Sequence, residues 1–277
     1  MINTIENTEG ALAIEDIIPS FVGEVQNSIP KSNFLKRIEL TERDLKIIEF
    51  ILEMKFSSTE DVFQKFFKLT RSNHESKSLA WARKRLSQLE KAKFLKSEYK
   101  FGSCTRYFAA TFKGYYVLKN FQPEKNWIKP IGGMDIRTFD HDEKIIKIRL
   151  QLESSKKITS WLSDRKLRCF PELAGGLTGG YVPDGIYTMP DGTNIAFELE
   201  IALKGKDKYR EKIRKYICLL KSSSNVKPFS KVHFVYAKDT VGRHLERETK
   251  LYPELFTIES LANYQTSKSN INLTRKG

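Results

Sequence analysis

Residues 183–204 read PDGIYTMPDGTNIAFELEIALK, and this stretch decides the fold. Asp184 opens one apolar run, and Pro190-Asp191-Gly192 has the composition of a hairpin turn. Residues 184–189 and 193–201 are therefore expected as paired strands. Side chains two apart on a strand share a face, which puts Glu198 with Glu200 and leaves Ile195, Phe197, Leu199 and Ile201 for the other face. One aspartate at a strand start, two glutamates on the neighbouring strand and Lys204 just beyond form a hard, oxygen-rich set suited to Mg²⁺, with Mn²⁺ able to substitute. Carboxylates set into an apolar strand need a metal or a cation to offset their desolvation. The bland alternative is an edge strand with a solvated acidic face.

Composition points the same way. The formal net charge is +14. Residues 1–30 contain five acids and neither lysine nor arginine, so residues 31–277 carry +14 + 5 = +19. A folded body this basic attracts polyanions, nucleic acid first among them. Cys104, Cys169 and Cys218 are widely spaced and odd in number, which argues against a disulfide framework or a zinc site. The N-terminus lacks the pattern of a secretory leader and no run has the length of a membrane helix, so a bacterial cytoplasmic location is expected.

Outward from the acidic stretch, five segments are expected. Residues 1–36 are an acidic arm, mobile or docking. Residues 37–122 read as a winged helix-turn-helix, 123–133 as a linker broken by Pro123, Pro130 and Gly132-Gly133, 134–262 as an α/β domain with a central mixed sheet, and 263–277 as a flexible tail. In the first domain Thr41 and Asp44 have capping-box spacing, and Ser57 or Ser58 can start a second, short helix. A third helix buries Leu79, Ala82, Leu86 and Leu89 and presents Lys77, Lys84, Gln88 and Lys91, with Arg83 and Arg85 on its flanks. Between Ser76 and Lys96 seven basic residues face one acid, Glu90. Such a helix suits the major groove of double-stranded DNA. The hairpin after it (94–99 and 105–110) would grip the backbone with Lys96, Lys100 and Arg106; the alternative is a protein-binding module whose charges are only solvated. Trp81 could pack on the wing or stack on DNA.

In the second domain the spacing predicts a helix over 141–153, with residues 158–162 continuing or following it, and a short strand over 167–170. Gly175–Gly180 reads as a connection without a phosphate-binding role. After Lys204 comes a helix with Tyr209, Ile213, Tyr216, Ile217 and Leu220 on its apolar stripe and Lys204, Lys208, Lys212 and Lys215 on another face; 231–237 is a further strand. The order is helix, three strands, helix, strand.

That order, with Pro183-Asp184 and Glu198-Leu199-Glu200, resembles the PD-(D/E)XK, or restriction-endonuclease-like, superfamily. The chain departs from it at Glu200, where the family usually has lysine, so Lys204 is the nearest replacement. With the winged helix and the run ELEIALKGKDKYREKIRKY, residues 37–237 are similar to the MOBC-type plasmid relaxases and the wider replication-relaxation group. The resemblance implies a metal-dependent endonuclease that nicks one strand at a plasmid transfer origin, alongside a coupling protein. A double-strand restriction- or transposon-type endonuclease, or a non-catalytic replication initiator or regulator, are the alternatives. Asp184 and Glu198 would bind the metal, Glu200 would complete coordination or orient the nucleophile, and Lys204 would stabilise charge on the phosphate. Asp142 or Glu143 would be an outer-shell acid, or would simply favour a helix N-terminus. His141 is a candidate base or a helix cap; Tyr209 and Tyr216 are candidate nucleophiles or core residues.

Overall fold

Two capping boxes start the first two helices among the described residues. The Thr41 N–H donates to Asp44 at 2.7 Å, and the Ser58 N–H donates to Asp61 at 3.0 Å; each serine or threonine hydroxyl accepts from the N–H of its acid in return. The helices are α1 (Glu42–Glu53) and α2 (Thr59–Phe66), separated by the two-residue strand β1 (Ser57–Ser58). The structure is a computed structural model that describes residues 38–69, 75–76, 78–100, 102, 104–174, 182–222 and 227–264. The expected arm 1–36, Lys77 and the glycine run 175–180 lie outside those residues, as does the tail beyond 264.

Helix α3 (Ala80–Lys91) buries Ala82, Leu86 and Leu89. Strands β2 (Leu95–Tyr99) and β3 (Arg106–Ala110) follow as an antiparallel hairpin, in a three-stranded sheet of order β1-β3-β2. The expected order of three helices and a hairpin is present. Helix α4 (Phe112–Phe121), capped by the Thr111 hydroxyl, was not anticipated from the sequence. It packs on α1, and Gly114 permits the close packing: a Cβ there would sit 3.1 Å from Ile48 Cγ2 of α1 and 2.6 Å from the Phe94 carbonyl oxygen.

The second region opens with α5 (Ile136–Ser154) on an Asp135 cap. The helix starts five residues before the expected position, so Asp142 and Glu143 are in its second turn, beyond the N-terminal dipole that was one reading of them. It ends before Lys156, whose φ of 55° is left-handed. Residues 158–162, expected to continue or follow the helix, contribute to strand β4 (Ser160–Ser163). Residues 167–170, expected as a strand, instead end helix α6 (Asp164–Cys169), because the Ser163 hydroxyl caps the Lys166 N–H. Strands β5 (Gly185–Thr188) and β6 (Asn194–Glu200) form the expected hairpin, its turn using Gly192 at φ 85°. Helix α7 (Lys206–Lys221) crosses over to β7 (Lys231–Tyr236), and α8 (Asp239–Thr249) crosses over to β8 (Phe256–Ser260). The sheet order is β4-β5-β6-β7-β8; β4, β5 and β6 are an antiparallel meander, while β6-β7 and β7-β8 are parallel.

Strand β6 is central, which explains why six of its seven residues are buried. One face of the sheet packs with α7 and α8 through Tyr209, Ile213, Tyr216, Phe234, Val241 and Leu245. The other core is continuous from α1 through α5 to β4 and β6. At its centre Phe56 stacks on Phe139 with ring centroids 4.5 Å apart, and Tyr107 meets both edge-on. Residues 123–133, expected as a linker, seat Trp127 and Ile128 in that core. Tyr264, expected within the tail 263–277, is buried in a 3-10 turn (Leu261–Tyr264) against β8. No helix among the described residues is long and apolar enough to cross a membrane.

Candidate active site and nucleic-acid interface

Strand pairing sets Asp184 beside Glu198. Gly185 of β5 is opposite Phe197 of β6, and Asp184 and Glu198 are the next residues outward. Asp184 Oδ2 accepts the Leu199 N–H at 2.8 Å and lies 3.2 Å from His141 Nε2. Burial alone would raise the Asp184 carboxyl, but His141, the Leu199 N–H and Lys212 together lower it below the usual aspartate range. His141, on α5, also has Nδ1 3.6 Å from Asp142 Oδ1. Burial opposes the imidazolium, yet the two carboxylates prevail and raise its pKa to about 10. Both carboxylates thus favour the imidazolium form of this ring.

Glu198 and Glu200 are buried, 3% and 1% exposed. Their cation is Lys212, from the middle of α7: its Nζ is 2.8 Å from Glu198 Oε2 and 2.5 Å from Glu200 Oε1. Tyr216 donates its hydroxyl to Glu198 Oε1. Burial pushes the Glu198 carboxyl up to about 7, against the pull of Lys212. Lys204, the lysine expected in the site, is half-exposed; its Nζ lies 2.7 Å from Glu200 Oε2. The direction does not make a hydrogen bond, and that oxygen has no hydrogen-bond partner among the described residues. The expected pattern puts Lys212 with Lys204, Lys208 and Lys215 on a face apart from the apolar stripe, whereas the helix turns it onto the carboxylates. The signal was there: Lys212 sits three residues after Tyr209 and four before Tyr216, both on the buried stripe. Tyr209 is likewise a core residue, with its hydroxyl accepting the Lys204 N–H and donating to the Ala202 carbonyl.

On the other side of Asp184 is a cleft of about 10 Å³, room for one water-sized occupant, lined by Asp142, Asp164 and Asp184 together with Lys55. Lys55 Nζ is 2.8 Å from Asp142 and 3.8 Å from Asp164. Burial, with Asp142 and Asp184 nearby, raises the Asp164 carboxyl, although Lys55 opposes it. Neither Lys55 nor Asp164 stood out in the sequence, because each comes from an element not expected to touch the acids. Glu143 is not part of this group; it accepts from the Tyr107 hydroxyl at 2.7 Å and lies 3.9 Å from Lys100.

The donor set is chemically right for a hard divalent cation: Asp184, Glu198 and Glu200 supply only carboxylate oxygens, and one Glu200 oxygen is buried without a hydrogen bond. Among the described residues, however, no three His, Cys, Asp or Glu side chains are grouped so as to hold a metal ion. His141 and Lys212 stand between the carboxylates and neutralise them.

The face of α3 divides the expected interface residues. Arg83, Lys84, Gln88 and Lys91 are exposed. Arg85 is turned inward, its Nε 2.7 Å from the buried carboxylate of Asp44 and its Nη2 2.8 Å from the Glu39 carbonyl. Arg106 is held by Glu90 at 2.5 Å and Ser97 at 2.8 Å, and Lys100 by Asp140 at 2.7 Å. Lys96 reaches the Gly132 carbonyl. The hairpin cations expected to grip a backbone thus bind the protein itself: Lys100 and Lys96 because α5 and the stretch before it lie alongside, and Arg106 because α3 and β2 present Glu90 and Ser97. Trp81 is 66% exposed. The chain matches no known protein-family profile, and neither a curated protein nor a solved structure is significantly similar to it.

Proposed function

We propose that this chain is a duplex DNA-binding endonuclease of the restriction-endonuclease-like type. In this reading its winged helix-turn-helix selects a site and its acid cluster cuts one strand. The observation that carries the reading is the juxtaposition of Asp184 and Glu198 at neighbouring positions of β5 and β6, with Lys212 Nζ spanning Glu198 and Glu200. The order helix, antiparallel meander, crossover helix, parallel strand also supports it.

Asp184 and Glu198, with Glu200, would hold Mg²⁺ or Mn²⁺, which when bound polarises a scissile phosphate and acidifies a water. The protein's own residues supply the rest. Lys212, freed from one carboxylate, would face the charge that develops on phosphorus, and His141 as a cation would hold Asp184 in place. Exposed Arg83, Lys84, Gln88 and Lys91 on α3 would contact phosphates and base edges. At the finest level the sequence resemblance suggests nicking at a plasmid transfer origin, alongside a coupling protein.

The test is conversion of supercoiled plasmid carrying the candidate origin to open circle with Mg²⁺ or Mn²⁺. Asp184→Ala and Glu198→Ala should abolish it while leaving duplex binding intact; normal nicking by both variants would refute the site. Linear product appearing with open circle would favour the double-strand type. One observation favours a non-catalytic DNA-binding protein instead: each carboxylate nearest β6 already has a lysine or histidine partner. Titration calorimetry with Mn²⁺ separates the two, since binding that disappears in Asp184→Ala belongs only to the nuclease.

A further inference from the structure

Between α1, α2 and α3 runs an open groove of about 780 Å³, lined by Arg43, Lys46, Phe66, Phe67, Trp81 and Lys84 among others. Its two flanks carry the same pairing of a cation with an aromatic ring. Arg43 lies over the Phe67 ring, 5.0 Å from its centroid, and Lys84 Nζ is 5.8 Å from the centroid of Trp81. Neither Arg43 nor Lys84 has an ion-pair partner among the described residues, whereas the groove's Lys46, Arg85 and Lys65 are matched by Glu42, Asp44 and Glu153. Trp81 is the exposed tryptophan of this chain; Trp127 and Trp161 are 9% and 5% exposed.

We infer that this groove binds an unpaired stretch of DNA, with a base stacked on Trp81 and the flanking phosphates held by Arg43 and Lys84. The inference rests on the reading of the protein as a DNA-binding one and adds a second mode of contact to it. The chemistry separates the occupants. Phosphate alone needs only the cations, and the base edges of a closed duplex are read by hydrogen-bonding side chains. An exposed indole beside cations instead matches the π-face of a base, which only an unpaired strand presents. Stacking of this kind tolerates any sequence, because every base has such a face. The groove opens on the same helix whose outer face carries Arg83 and Lys91, so a strand parted from the duplex there has a place to go.

The experiment uses the full chain, a 12-nucleotide oligothymidylate and a 20-base-pair duplex of mixed sequence, each read by fluorescence anisotropy and by intrinsic tryptophan emission. Oligothymidylate should quench the emission, since the other two indoles are buried. Trp81→Ala should weaken oligothymidylate binding by ~10-fold or more, the loss of one base stack, and should change duplex affinity by less than about twofold; Trp81→Phe should restore most of the loss. Trp81→Ala binding oligothymidylate like the parent, or losing duplex affinity equally, would overturn the inference. The outcomes also separate it from the reading it rests on. Duplex bound without oligothymidylate sinks the inference alone, and oligothymidylate bound without duplex sinks the duplex reading alone. Neither bound sinks both.

Discussion

Lys55 Nζ stands 2.8 Å from Asp142 Oδ1, so the residue just past α1 is tied to the second turn of α5. Lys55 adopts φ 74°, a left-handed conformation that costs a non-glycine residue about 1 kcal/mol or more. Removing the ammonium leaves a largely buried carboxylate short of a donor, a loss of about 1–3 kcal/mol. Lys55→Ala should therefore lower urea stability by about that amount, and Lys55→Gly, which relieves the backbone, should lose about 1 kcal/mol less. Equal stabilities for the two variants would show that the backbone conformation carries no cost.

The two lysines of the acid cluster should behave differently. Lys212 serves two buried carboxylates, and removing a partner from a buried pair costs about 3–5 kcal/mol. Lys204 is half-exposed, and a pair of that kind contributes about 0–1 kcal/mol. Chemical denaturation of Lys212→Ala and Lys204→Ala should reproduce that ranking, and nicking should fall further in Lys212→Ala. A reversed ranking would restore Lys204 as the principal lysine of the site.

Arg85 and Lys84 are neighbours in sequence, the one turned onto Asp44 and the other exposed, and on the proposed function their duties differ. Arg85→Ala should destabilise the fold by about 1–3 kcal/mol, because buried Asp44 loses its charged donor. Lys84→Ala should leave the melting temperature within a degree or two and weaken duplex binding; if Lys84 contacts a base, the loss is about 1–3 kcal/mol. Thermal melts paired with binding isotherms test both at once.

Gly185 follows the site aspartate directly, and a Cβ there would fall 2.6 Å from the Trp161 ring. Gly185→Ala should cost about 1–3 kcal/mol through overpacking and should abolish nicking by shifting Asp184. The companion Gly185→Ala/Trp161→Leu, which opens space, should recover part of the stability. No recovery would mean that the ring is not what excludes a side chain.

Glu259, on β8, is held down to about 2, mainly by the His233 imidazole and, against burial, by the Tyr264 hydroxyl. A carboxyl lowered on folding stabilises the protein above its ordinary value of 4.5, and that contribution is lost as pH falls toward 2. The melting temperature should drop through this window, and Glu259→Gln should flatten the drop while lowering stability near neutrality. An unchanged acid limb would exclude Glu259 as its source.

Much of the acid cluster was legible because strand alternation is a strict rule: Glu198 and Glu200 had to share a face, and the Asp191-Gly192 turn had to bring Asp184 alongside. The lysine was not, since helical spacing places a residue on a stripe without saying which stripe meets which strand. Lys212 could be read as solvated or as buried with Tyr209 and Tyr216, and only the packing of α7 on β6 decides. Short segments failed for a related reason. Residues 167–170 were expected as a strand, yet the Ser163 cap starts a helix that runs through Cys169; of residues 158–162, the last three join β4 because Thr188, Tyr187 and Ile186 of β5 are there to pair with them. Lys100 and Arg106 read as backbone-gripping cations because no local pattern announces that Asp140 of α5 will meet Lys100, or that Glu90 of α3 and Ser97 of β2 will hold Arg106. The same holds for Lys55 and Asp164, whose approach to Asp184 depends on contacts far apart in sequence.

The stacked rings of Phe56 and Phe139, with Tyr107 against both, have a consequence for engineering. A module that can be transplanted ends in a surface that tolerates water, and the face of residues 38–122 toward α5 ends in the aromatic rings of Phe56 and Tyr107. Expressed alone, residues 38–122 would present that plane to solvent and would be expected to self-associate. On the proposed function, the site preference would therefore be altered by changing side chains on α3 in place, rather than by exchanging residues 38–122 for another domain.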